Sequence, residues 1–113
     1  MQTKTTPATL ELTGASGTRY VFYVFDLNTQ FKPSGGVYAV TRAVPSTGGG
    51  RTHHINYIGH TGDLSERFDA HHKEDCFTRH GSTDLCVRGE ENEEARLAIE
   101  ADLIKAYNPP CNG

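Results

Sequence analysis

The sequence predicts a single small α+β domain, a mostly antiparallel sheet with helices packed on it. Three observations point there. Two pairs of alternating apolar and aromatic runs, each pair separated by a glycine-bearing turn, read as two β-hairpins. The segment from Asn92 to Tyr107 carries a capped helical pattern that Pro109-Pro110 closes. A chain of 113 residues suffices for one domain with a modest core and is too short for a catalytic domain plus a separate recognition domain. The expected division is a flexible tail over 1–8, an N-terminal β-hairpin extension over 9–34 and a core over 35–113.

Thr9 to Thr13 places Leu10 and Leu12 on one face, and Gly14-Ala15-Ser16-Gly17 turns the chain. Arg19 to Leu27 is dense in Val, Phe and Tyr on both sides, so it needs cover on both faces or a neighbouring strand. Asn28 to Gly35 reads as a loop. Gly36 to Val44 and His53 to Gly59 form the second hairpin around Thr47-Gly48-Gly49-Gly50, a connection too long to fix the register by turn type. Asp63-Leu64-Ser65-Glu66 fits a capping box, so a helix is expected to start there. It would carry Leu64 and Phe68 on its packing face and Arg67 and His71 along its edge. The helical pattern continues or restarts through Glu74 to Arg79 and stops at Gly81, and Thr83 to Arg88 reads as a further short strand.

The last helix is capped by Asn92, with Glu93 and Glu94 at the positive end of its dipole. Its apolar arc is expected to hold Ala95, Leu97, Ile99, Leu103, Ile104, Ala106 and Tyr107, with Ala98, Ala101, Asp102 and Lys105 opposite. Glu100 falls inside that arc. A carboxylate there is costly unless it is paired or binds a cation.

The net charge of −3 at pH 7 is the reverse of a typical nucleic-acid binder, so any such contact must come from a local patch. There is no apolar run long enough to span a bilayer and no basic-then-apolar leader, so the expectation is a cytoplasmic protein with no membrane partner. Cys76, Cys86 and Cys111 are odd in number and lack C-x-x-C spacing, which argues for reduced thiols and against a disulfide framework or a cysteine-dominated zinc site. The six histidines lack H-E-x-x-H spacing.

Singly, the polar candidates have ordinary explanations: rim hydroxyls for Tyr38 and Tyr57, a solvated helix edge for Arg67 and His71, an ion pair with Arg67 or Arg96 for Glu100. Together, two phenols, a guanidinium, an imidazole and a core-facing carboxylate are the parts that phosphodiester hydrolysis needs. One carboxylate suits a single divalent metal that keeps most of its waters, such as Mg²⁺.

These residues resemble the GIY-YIG nuclease family. Gly36-Val37-Tyr38 is similar to its first triplet and Tyr57-Ile58-Gly59 to its second. Asp63 to His71 resembles the helix that carries the family's arginine and, in many members, a histidine one turn on; Glu100 matches the metal-binding glutamate. Leu103 to Asn112 resembles the closing segment, whose asparagine falls on Asn112 rather than Asn108.

The resemblance covers 35–113 and implies a central antiparallel sheet flanked by helices and a metal-dependent DNA endonuclease. Tyr38 would be the general base, or would relay the proton to His71, since a phenol with a pKa of about 10 is a poor base at neutral pH. Arg67 would stabilise charge on the scissile phosphate, Glu100 would hold Mg²⁺ or Mn²⁺, and Tyr57 and Asn112 would position the phosphate and its surroundings. His60 stands where many members place lysine; with Arg42 and Arg51 it is an expected substrate contact. The stretch 39–56 is either a DNA-reaching insertion or a lengthened turn. Recognition is expected from the N-terminal hairpin, this stretch, a second subunit in a homodimer or a recruiting protein. The rival reading, of another class, is a GIY-YIG-like fold kept as a nucleic-acid- or protein-binding adaptor with weak or no cleavage. A third is a structural domain in which Glu100 pairs with Arg67.

Overall fold

The computed structural model describes residues 8–66 and 73–112. Among these residues five strands, β1 (Thr9–Thr13), β2 (Arg19–Asp26), β3 (Gly36–Pro45), β4 (Arg51–Thr61) and β5 (Asp84–Gly89), join two helices, α1 (Glu74–Arg79) and α2 (Glu93–Tyr107), and a closing 3-10 turn, Pro110–Asn112. The strands form one sheet in the order β1-β2-β5-β3-β4, with every pairing antiparallel. The fold is therefore α+β.

Strand β5 sits at the centre because Leu85, Cys86 and Val87 offer apolar groups to both faces, and all three are buried. On one face Leu12, Phe22, Val37, Ala39 and Ile58 pack against Ile99 and Leu103 of α2. On the other, Tyr38, Val40, Leu85 and Val87 pack with Leu64, Phe77 and Cys111. The N-terminal hairpin joins the sheet through β2 and β5 and contributes Leu12 and Phe22 to the first of these clusters. Strand β2 thus has a neighbouring strand on each side, while its second apolar face is only partly covered, with Val21 and Tyr23 exposed.

Most of 39–56 is strand. The β3–β4 ladder runs from Gly36 opposite Thr61 to Pro45 opposite Arg51, with one irregularity between Val40 and Thr41. The connection itself is short, and Gly48, Gly49 and Gly50 turn the chain at φ of 86°, 103° and 73°, conformations that side-chain-bearing residues avoid. The stretch is thus a lengthened hairpin.

Residues 63–66 form a turn. The Asp63 carboxylate accepts from the Ser65 backbone N–H at 2.9 Å and from the Ser65 hydroxyl, and Glu66 N–H donates to Asp63 C=O at 3.2 Å. The helix expected onward from here, with Arg67, Phe68 and His71, falls outside the described residues. Helix α1 is the restarted segment, and it ends where Gly81 takes φ of 67° and Ser82 N–H reaches Phe77 C=O.

Two expectations are corrected. In α2, Ile99 and Leu103 are buried, but Leu97, Ala106 and Tyr107 are exposed and Arg96 is buried. Polar anchors set this rotation: the Arg96 guanidinium donates to the carbonyls of Glu90 and Glu91 at 3.1 and 2.9 Å. Asp102, on the side expected to face solvent, accepts from Ser16 N–H (2.9 Å), Ser16 Oγ (2.7 Å) and Tyr20 Oη (2.9 Å). The second correction concerns the thiols. Cys76 and Cys111 form a disulfide that joins α1 to the 3-10 turn across 35 residues of sequence. The odd cysteine count hid the pair because Cys86 lies apart in the core, where burial pushes its thiol up to about 12. Among the described residues no helix is long and apolar enough to cross a membrane.

Candidate functional site

The β3–β4 register sets Tyr38 opposite Gly59 and Val40 opposite Tyr57. Because Gly59 carries no side chain, both phenol rings close over it. A β-carbon at that position would meet Cζ and Oη of Tyr38 and Cε2 of Tyr57, each at 2.8 Å. The ring centroids stand 6.0 Å apart, and the Tyr57 ring packs on Phe77 at 5.3 Å. Burial, and after it the Glu100 charge, raises the Tyr57 hydroxyl above its ordinary value, against a hydrogen bond with Tyr38 that pulls it down. Tyr57 is a neutral phenol at pH 7.

Glu100 approaches β4 from the α2 face of the sheet, where His60 lies opposite Val37, whereas the two rings pack on the other face. Its Oε1 lies 3.9 Å from His60 Nε2, on the residue after the second triplet. The carboxyl is raised above its usual range because burial penalises the charge, with His60 acting in the opposite direction. His60 Nδ1 is buried and makes no hydrogen bond among the described residues. Arg96 is spent on the Glu90 and Glu91 carbonyls, and Arg67, the other partner considered for Glu100, lies outside the described residues.

Asn112 clamps the middle of the second triplet. Its Oδ1 accepts from Ile58 N–H at 2.9 Å and its Nδ2 donates to Ile58 C=O at 2.8 Å. Among the described residues strand β4 is a sheet edge with no strand on its outer side; the asparagine amide supplies that pairing at the residue between Tyr57 and Gly59. It positions the site through the backbone. Asn108 instead caps α2 in the left-handed conformation at φ 44°.

One short piece of β4 thus carries the tyrosine pair on one face and the His60–Glu100 pair on the other, with Asn112 on the strand edge between them. His71, like Arg67, falls outside the described residues. Arg42 is exposed and lines an open cleft of about 450 Å³ with His53, His54, Asn56, His80 and Tyr107. Arg51 stands six residues from Tyr57 along β4, roughly 20 Å at strand rise, and pairs with Asp84 at 3.3 Å. Arg51 is therefore not brought to the tyrosines, and Arg42 faces the cleft from two residues along β3 beyond Val40, the residue opposite Tyr57.

For a metal, Glu100 offers one half-buried carboxylate whose charge a cation would compensate. That donor set fits a hard ion retaining most of its waters, such as Mg²⁺. A different group went unread in the sequence. One donor atom each from Cys76, His80 and Cys111 lies within 4.8 Å of the others. The Cys76 to His80 spacing of one helical turn was legible; the approach of Cys111 depends on the whole fold.

Comparisons with protein-family models, curated proteins and solved structures return no match.

Proposed function

We propose that the chain is a metal-dependent DNA endonuclease of the GIY-YIG type, hydrolysing phosphodiester bonds at Tyr38, Tyr57 and Glu100. The observation that carries this reading is the pair of phenols packed over Gly59 with the Glu100 carboxylate bearing on Tyr57 and His60. Tyr57, kept protonated, donates to a phosphate oxygen. Tyr38 orients the attacking water or passes its proton on, with His71 as the assigned acceptor. Arg67 is assigned to the charge that grows on the phosphate, and Asn112 keeps the second triplet in place. Glu100 would hold Mg²⁺ or Mn²⁺, which when bound supplies positive charge to the reacting phosphate. His60, whose Nε2 lies beside Glu100, stands where many members of that family place a lysine.

The test is incubation of the purified protein with supercoiled plasmid and with a branched oligonucleotide, in Mg²⁺ or Mn²⁺ against EDTA, beside Glu100→Ala. Cutting that needs metal and is lost in the variant supports the reading. If neither DNA is cut while wild type and variant bind it equally, the adaptor reading replaces it.

A further inference from the structure

We propose that Cys76, His80 and Cys111 form a thiolate–imidazole site that takes one Zn²⁺ when the Cys76–Cys111 disulfide is reduced. The site is separate from Glu100 and does not depend on the nuclease reading.

Cys76 and His80 lie one turn apart at the end of α1, so their side chains share a face. Cys111 comes from the 3-10 turn, and the three donor atoms already lie within 4.8 Å of one another. Tetrahedral zinc with Zn–S near 2.3 Å and Zn–N near 2.0 Å sets donors about 3.5–3.8 Å apart. The sulfurs must therefore separate and the imidazole must close by about an ångström, movements that rotamer changes on α1 supply. Cys111 is buried, Cys76 is half-buried and His80 is exposed beside the open cleft, so the ion has a dry sulfur side and an open approach. Water completes the fourth position.

A dithiol reductant gives two electrons and two protons to the disulfide, yielding two thiols and its own cyclic disulfide. Zn²⁺ then displaces the two thiol protons to solvent, leaving two thiolates, a neutral imidazole and no net charge on the metal and its protein ligands. Either the disulfide or the ion thus ties α1 to the turn that carries Asn112.

The test is a titration of dithiol-reduced, desalted protein with Co²⁺ and Zn²⁺ under argon, against oxidised protein and His80→Ala. One Co²⁺ per reduced chain, a thiolate-to-cobalt absorption band displaced by Zn²⁺, and protection of Cys76 and Cys111 from alkylation as mapped by mass spectrometry are expected. His80→Ala loses at least the ~10–100-fold in affinity that a supporting partner costs a metal site, and oxidised protein takes no ion. If reduction unfolds the chain, recovery of its circular dichroism on adding one equivalent of Zn²⁺ supports the site. Failure to recover overturns it, as does a reduced chain with no stoichiometric uptake, equal affinity in His80→Ala, or equal uptake by oxidised protein.

Discussion

At Gly59 the absence of one carbon decides where two rings sit, because a β-carbon there would stand 2.8 Å from both tyrosines. The backbone at this residue is ordinary strand, so contact is the reason for glycine. Gly59→Ala is expected to cost ~1–3 kcal/mol by overpacking and, by moving the phenols about an ångström, to lower cleavage by ~10²-fold. Thermal melts and plasmid nicking on one preparation check both. Glu100 makes the opposite trade. Its carboxyl is raised in the fold, so its contribution to stability is favourable below the unfolded value of 4.5 and is lost as pH rises through the folded value. Glu100→Gln carries no charge to desolvate. In EDTA at pH 7 it should melt a few degrees above wild type, and the gap should close below pH 4.5. A Glu100 that served as one half of a stabilising ion pair would give the reverse order.

At the scale of elements, α2 is held by polar anchors as much as by its apolar stripe. The Asp102 carboxyl is held below its ordinary range by the Ser16 hydroxyl, then by the Ser16 N–H. A depressed folded value means that this contact helps stability above pH 3.8 and fails as pH falls through the folded value. Asp102→Ala should speed hydrogen exchange at Ala15 and Ser16 and lower Tm, with the loss shrinking in acid. A second, covalent anchor, the Cys76–Cys111 disulfide, holds α1 to the closing 3-10 turn. Closing 35 residues restricts the unfolded chain, and on chain-entropy grounds reduction should cost about 3–4 kcal/mol; denaturant melts with and without a dithiol measure it. Neither anchor was legible in the sequence. Helical periodicity ranks side chains by hydropathy, and so it placed Asp102 in solvent and Leu97 and Tyr107 inside. The two strand pairs, the Asn92 cap and the Gly81 stop were legible because turn glycines and a capping side chain act within a few residues.

Over the whole molecule, the sheet order decides what meets what. Insertion of β5 between β2 and β3 joins the N-terminal hairpin to the rest, and it leaves β4 at an edge where Asn112 can reach Ile58. No local pattern encodes that order. The spacing of the two triplets did place Tyr38 beside Tyr57, since one hairpin contains both, and Glu100 was marked by its anomaly in an apolar arc. The meeting of Cys76 with Cys111 and the pairing of Arg51 with Asp84 are long-range and went unseen. If Tyr38, Tyr57 and Glu100 form the proposed metal-dependent nuclease centre, wild type converts supercoiled plasmid to nicked circles in Mn²⁺ and not in EDTA, and Glu100→Gln of verified fold nicks in neither. Equal nicking by both proteins, or nicking by wild type in EDTA, rules that centre out.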